Sequence, residues 1–329
     1  MTKSNMEKLL LGYGAEILSM GKKIYPFLEV EKINTMMWVG YQLDGVKVCE
    51  KYHESAMVKI FDKIEDGCEM KIIQIAGPSS SGKTTLAANL FCSLSEKGYN
   101  PIMISLDDYY RGKEYYKVNE FGESDYESPE AIDIELFNEQ IYNITHGVTV
   151  ELPVFNFEKV AREPSGRIVR SGENKAIIVE GIHALNPVIA ENCGDISRFK
   201  IFVNPMGQVL RKGELIFDAP DLRLVRRLVR DFFHRSTNAF ETFMRWPSVR
   251  EGEEKYIFPF ADSADITFNT WLPYETCVLR TFTDDILNEI KNFGPHREVA
   301  KRLKQSLSYF VPVDPSIIPE TSLLREFVK

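Results

Sequence analysis

Cysteine is scarce in this sequence. Five occur in 329 residues (Cys49, Cys68, Cys92, Cys193 and Cys277), an odd number with no C-x-x-C spacing. That argues against a disulfide framework and for reduced, buried thiols in a cytosolic protein. Long apolar runs are missing too: nothing approaches the ~18 uninterrupted residues of a membrane span, so no membrane partner is expected. The opening MTKSNMEKLLLGYGAEIL puts charges on both sides of a very short apolar run, unlike a signal peptide, and cytoplasmic residence is expected. There is no basic surplus, since 40 Lys and Arg stand against 48 Asp and Glu, a net charge of −8. Nucleic-acid affinity is carried by neutralised phosphates, so a nucleic-acid partner is not expected. Internal repeats and low-complexity segments are also lacking.

What is present is an ordinary globular balance, 44% apolar and 27% charged. Five short apolar runs are each followed by a turn signal: KIIQIAG (71–77), PIMISLDD (101–108), AIIVEG (176–181), FKIFVNP (199–205) and ADITFN (264–269). Runs apolar on both faces suit the buried strands of a parallel sheet. Helix-like stretches lie at 83–97, 130–146, 222–234 and 240–246. The alternation predicts an α/β fold with a parallel sheet of about five strands flanked by helices. We divide the chain into an N-terminal extension (1–68), an α/β domain (69–292) and a C-terminal helix and tail (293–329). Further helices are expected in HESAMVKIFDKIEDG and REVAKRLKQSL, and a loop over 109–130.

The sharpest motif is Gly77-Pro78-Ser79-Ser80-Ser81-Gly82-Lys83-Thr84, followed by Thr85, which fits G-x-x-x-x-G-K-[ST], the Walker A pattern. It stands between an expected strand and an amphipathic helix. Glycines let the backbone wind around phosphate oxygens, and successive N–H groups at the helix start face the anion. Lys83 would reach the β/γ-phosphates and the Thr84 hydroxyl would ligate Mg²⁺. Neither D-x-x-G nor N-K-x-D occurs, which leaves a small-molecule kinase ahead of a GTPase.

Ligands of open parallel sheets bind beyond the carboxyl ends of the strands. Two other strands end in acids there, Asp107-Asp108 and Glu180. Phosphoryl transfer needs a base for the acceptor hydroxyl and a metal that shields charge. Asp107 is expected as the base, with Asp108 able to exchange roles, and Glu180 with Thr84 around Mg²⁺. Helix-capping by these acids is the alternative. In DLRLVRRLVRDFFHR, Arg223, Arg227 and Arg230 share a helix face, Arg226 sits beside it and Arg235 follows one turn on. They read either as a lid over 221–250 that stabilises the transferring group or as a solvated face paired with Asp221 and Asp231. The segment 151–162 reads as extended, with Phe155 and Phe157 on one side. These rings, like Tyr109 and Tyr110, fit either a base sandwich or core.

The order GPSSSGKTT, SLDDYYR, PVFNFEKVAR, VEGIHALNP, RLVRRLVRDFFHR resembles the uridine kinase and phosphoribulokinase family of P-loop kinases over about 70–329. It is most similar to the kinase half of bacterial uridine kinase-like proteins that carry a threonyl-tRNA synthetase-like N-terminal half, for which 1–68 is too short. The resemblance implies ATP- and Mg²⁺-dependent phosphorylation of a small-molecule hydroxyl, the 5′-hydroxyl of a ribonucleoside such as uridine or cytidine, and homo-oligomerisation. It further implies Lys83 and Thr84 at the phosphates and Mg²⁺, Asp107 as the activating carboxylate, and Glu127 at the ribose. Phe155 and Phe157 would flank the base, with Arg162 nearby, Glu180 at the metal and Arg227, Arg230 and Arg235 in the lid. Two positions depart from the pattern: Val160 replaces the base-edge His, and Arg235-Ser236 replaces Arg-Gly. A same-fold kinase for a sugar phosphate or vitamin, and a nucleotide-binding regulator without turnover, stand as alternatives.

Overall fold

The five apolar runs form the parallel part of one sheet. The computed structural model describes residues 18–19, 26–65, 71–118, 125–157, 159–170, 176–235, 237–288 and 296–328. Its strands are β1 (Leu18–Ser19), β2 (Phe27–Glu29), β3 (Lys71–Ala76), β4 (Ile102–Ser105), β5 (Val150–Asn156), β6 (Ala161–Val169), β7 (Ala176–Glu180), β8 (Ser197–Asn204), β9 (Gln208–Arg211), β10 (Glu214–Phe217) and β11 (Ile266–Asn269). Its α-helices are α1 (Val30–Met36), α2 (Gln42–Glu65), α3 (Lys83–Glu96), α4 (Ile134–Thr145), α5 (Ala219–His234), α6 (Ala239–Tyr256), α7 (Glu275–Asn288) and α8 (Arg297–Ser308).

The main sheet has the order β1-β11-β8-β3-β7-β4. Strands β11 through β4 pair in parallel, and the two-residue β1 adds an antiparallel edge. The expected α/β fold with about five parallel strands is thus present. Alternate residues of each strand feed two apolar clusters, as a period of two requires. Ile73 and Ile75 of β3 join Ile178 of β7 and Ile201 and Val203 of β8 on one face. Ile72 and Ala76, Ile177 and Val179, and Phe202 join the other.

The first cluster also takes in α2, α3, α5, α7, α8 and the segment 310–328. Leu303 and Leu307 of α8, and Leu324 and Phe327 beyond it, are fully buried beside Leu86 and Leu90 of α3. The described parts of both flanks therefore share an apolar core with the sheet. Residues 1–17 and 20–25, like Cys68, 119–124 of the expected loop and Ser236, lie outside the described residues.

Several elements differ from expectation. The segment 151–162 is not one extended stretch but the first arm, turn and start of the second arm of a β5–β6 hairpin. β5 ends at Asn156, whose Oδ1 accepts the Lys159 N–H at 3.1 Å and turns the chain. Phe155 is therefore buried in the core while Phe157, past the strand end, is 63% exposed. The stretch 240–246 grows into α6, which continues past Pro247, where one helical N–H is missing. Asn238 caps its start by accepting from Glu241 N. A small sheet, β10-β9-β2, completes the pattern.

Candidate active site

The site lies where β3, β7 and β4 end side by side. Their register sets Ile75 opposite Glu180 and Glu180 opposite Ser105, so the two acidic strand ends follow one another on the β7 side of the phosphate loop. Of the two acid-bearing strands, β7 neighbours the loop strand β3, while β4 lies one strand further out.

The loop leaves β3 at Gly77, where a Cβ would stand 2.0 Å from the Val203 carbonyl oxygen. Only glycine fits that approach. Ser80 has φ +59° and Gly82 φ +93°, so the backbone reverses twice before α3 begins. Three groups pin the loop carbonyls from outside. Arg223 Nη1 donates to Ser79 O at 3.3 Å, Arg226 Nη1 to Ser80 O at 3.4 Å, and Thr270 Oγ1 to Ser81 O at 2.6 Å. With its carbonyls held outward, the loop keeps N–H groups for an anion on the inner side. The Ser80 and Ser81 hydroxyls are buried with no hydrogen-bond partner among the described residues. Lys83 Nζ donates to Pro78 O at 3.1 Å, folding back over the loop. Thr84 is exposed at the first turn of α3.

Ser105 organises the acids. Its hydroxyl donates to Glu180 Oε1 at 2.6 Å and accepts the Asp107 N–H at 3.3 Å. Glu180 is buried, and burial with the Asp107 charge pushes its carboxyl up to about 7, against the pull of Lys83. Asp107 is partly exposed beside it. The two aspartates left open by the sequence now differ. Asp108 Oδ1 accepts from Phe155 N at 3.4 Å, tying it to the hairpin, and burial raises its carboxyl. The Asp107 charge acts instead on Glu180 and Glu127.

Glu127 approaches from the other side. Asp125 Oδ1 accepts the N–H groups of Glu127 and Ser128, at 3.1 and 3.0 Å, and fixes the turn. Gly252 of α6 makes room, since a Cβ there would stand 2.3 Å from Glu127 Cβ. Glu127 Oε2 is buried with no hydrogen-bond partner among the described residues. Burial lifts this carboxyl to about 7, although Arg227 and Lys83 pull it down. His183 was not singled out by the sequence. Its ring is buried beside the Glu127 backbone, and burial lowers it to about 4. Its signal in sequence was only its place three residues after Glu180.

The arginines divide by function. Arg223 forms a buried double contact with Glu253, Nη2 to Oε2 at 2.8 Å, and Arg226 holds Glu275 at 2.5 Å. Both are core struts rather than a solvated face, which anchors α5 as far as Val229. Arg227 Nη1 donates to the Ser79 hydroxyl at 3.0 Å, reaching the loop itself. Arg230 pairs with Asp231 at 2.8 Å, and Arg235, 55% exposed, lies 3.8 Å from the same carboxylate. Burial works against ionised Asp231, but Arg230 and Arg227 hold it below the usual carboxylate range. Asp221, the other expected partner, binds Arg302 through two 2.6 Å contacts.

On the hairpin side, Tyr110 is buried, donates to Tyr126 O at 2.9 Å and packs 5.6 Å from Phe155 and 6.2 Å from Phe157. Arg162 is committed to Asp133, the N-cap of α4, at 3.0 Å. Val160 is held at φ +51°, a strained backbone for a β-branched residue.

Known proteins resemble this chain over the region that carries the site. The sequence model of the Phosphoribulokinase / Uridine kinase family matches residues 72–275. A uridine kinase of Macrococcus caseolyticus is 32% identical over 196 residues, 59% of this chain and 85% of its own length. One from Halalkalibacterium halodurans is 29% identical, covering 59% of this chain and 83% of that protein. One from Staphylococcus aureus is 31% identical, with 59% and 85% covered. A solved structure from Bacillus stearothermophilus, described as a possible uridine kinase, overlaps 66% of this chain and 98% of its own at 18% identity and a TM-score of 0.43.

Proposed function

The chain belongs to the phosphoribulokinase / uridine kinase family and is a phosphotransferase acting on a nucleoside or other small molecule; from that premise we propose ATP- and Mg²⁺-dependent phosphorylation of the 5′-hydroxyl of a ribonucleoside such as uridine or cytidine. One observation carries the proposal. Asp107 and Lys83 lie close enough to act electrostatically on both Glu180 and Glu127, and Arg227, which donates to the Ser79 hydroxyl of the phosphate loop, acts on Glu127 as well.

The residues fit the reactants. The Thr84 hydroxyl and the Glu180 carboxylate are hard oxygen donors of the kind Mg²⁺ takes. The unpartnered Ser80 and Ser81 hydroxyls and the inward loop N–H groups, with Gly77, Ser79, Gly82 and Thr85, suit a polyphosphate. Bound Mg-ATP supplies the phosphoryl group and the metal charge that shields it. Asp107 accepts the proton of the acceptor hydroxyl as that oxygen attacks in line. In this reading Lys83, Arg227 and Arg230 offset the negative charge that builds on the group in flight, and Arg235 binds the nucleotide. Glu127 accepts hydrogen bonds from ribose hydroxyls, and Tyr110, Phe155 and Phe157 wall the base, with Arg162 at the rim. Residues after Val229 in 221–250 close over the site and exclude water.

Val160 supports a second reading. It offers no hydrogen bond to a base edge, which favours a same-fold kinase for a sugar phosphate or vitamin. An ADP-release assay with Mg-ATP against ribonucleosides, deoxynucleosides, ribulose 5-phosphate and pantothenate separates the two. Turnover on a ribonucleoside is expected. Turnover only on another acceptor would overturn the nucleoside assignment.

A further inference from the structure

The chain's last described residues are seated on the phosphate loop. Glu326 Oε2 accepts the Thr85 hydroxyl at 2.6 Å and the Thr85 N–H at 3.3 Å. With Gly82 as N-cap, Thr85 is the third residue of α3. Its N–H is one of those a helix start leaves without an internal acceptor. In a phosphate loop these are the groups offered to phosphate oxygens.

We propose that Glu326 is an internal stand-in for a nucleotide phosphate, which the nucleotide must displace, so that this carboxylate sets nucleotide affinity. The proposal rests on the reading of 77–85 as a nucleotide loop. One hydroxyl proton cannot be given to two acceptors at once. A carboxylate and a phosphate oxygen within a few ångströms also repel each other.

The carboxylate is delivered by a rigid turn. The 3-10 turn Leu323–Glu326 is capped by Ser322, whose hydroxyl accepts from Leu324 N. Leu323, Leu324 and Phe327 are buried. Leu323 lies against Gly82 so closely that a Cβ there would stand 2.7 Å from Leu323 Cδ1. The Phe327 ring lies 5.0 Å from the Arg226 guanidinium that pins Ser80 O. The loop glycine and the turn are thus fitted to each other. Displacing Glu326 needs its side chain to swing while the turn stays docked. A plain brace would have the same apo contacts, but it would keep Glu326 on Thr85 with nucleotide bound.

Fluorescent mant-ADP titrated into wild type, Glu326→Gln and Glu326→Ala decides between them, with adenosine as a phosphate-free control. Both variants should bind mant-ADP roughly two- to fivefold more tightly, the range of one charge at a helix N-terminus, and adenosine unchanged. Equal or weaker mant-ADP binding by the near-isosteric Glu326→Gln, with an unchanged melting temperature, would overturn the proposal. Lys83→Ala tests the underlying reading separately: unaltered mant-ADP affinity there refutes the nucleotide loop, whatever Glu326 does.

Discussion

Ser105 shows how one hydroxyl can set two acids. It donates to Glu180 and accepts from the Asp107 backbone, so it fixes the spacing of both. Glu180 ionises near 4.5 in an unfolded chain and near 7 in the fold. The folded state therefore binds more protons between those values. The group's contribution to stability is full below about pH 4.5 and is lost as pH rises to about 7. Glu180→Gln should accordingly raise the melting temperature by roughly 2–5 °C above about pH 7 and change it little near pH 4.5. Equal shifts at both ends, measured by thermal scans across pH, would contradict the burial account. At this scale the sequence revealed the acids at strand ends and favoured Asp107 as the base, with Asp108 able to exchange roles. The sequence could not show that Asp108 is tied to the hairpin backbone at Phe155, 47 residues away. It also could not expose Ser105 or His183, whose roles depend on what surrounds them.

Helix α5 illustrates what periodicity can and cannot reveal. The spacing placed the arginines on the correct helix, yet Arg223 and Arg226 are buried. Their partners, Glu253 and Glu275, come from α6 and α7, 30 and 49 residues further along. Arg226→Met should leave Glu275 buried and unpaired and cost about 3–5 kcal/mol in denaturant unfolding. Wild-type stability for that variant would mean the pair is dispensable. The α6 packing makes a different prediction. Gly252→Ala must push Glu127 aside, so the KM for the acceptor should rise about tenfold while nucleotide affinity holds. An unchanged acceptor KM would remove Glu127 from the acceptor site. The parallel strands were legible because both their faces are apolar. The β5–β6 and β9–β10 hairpins were not, since β6 is mostly exposed and β9 and β10 are four residues each.

Across the whole molecule, the described flanks close around the side of the sheet that carries α3. Helix α2, α8 and the final turn share its core, and Phe327 is fully buried two residues from the end of the sequence. Phe327→Ala should cost about 3–5 kcal/mol, as for a central aromatic, rather than the small effect of a chain terminus. Sequence alone could not tell this surface from core, because a short amphipathic tail reads the same either way until its partner is in place. The partner is Gly82, a loop residue identified for an unrelated reason.

The central claim is that Asp107 takes the acceptor proton beside a loop that binds nucleotide independently. It is tested most directly by Asp107→Asn, with turnover and mant-ADP affinity measured on the same preparation. Turnover should fall by about 10²–10⁴-fold while nucleotide affinity stays within about twofold. Turnover that survives the substitution would contradict the assignment of the base.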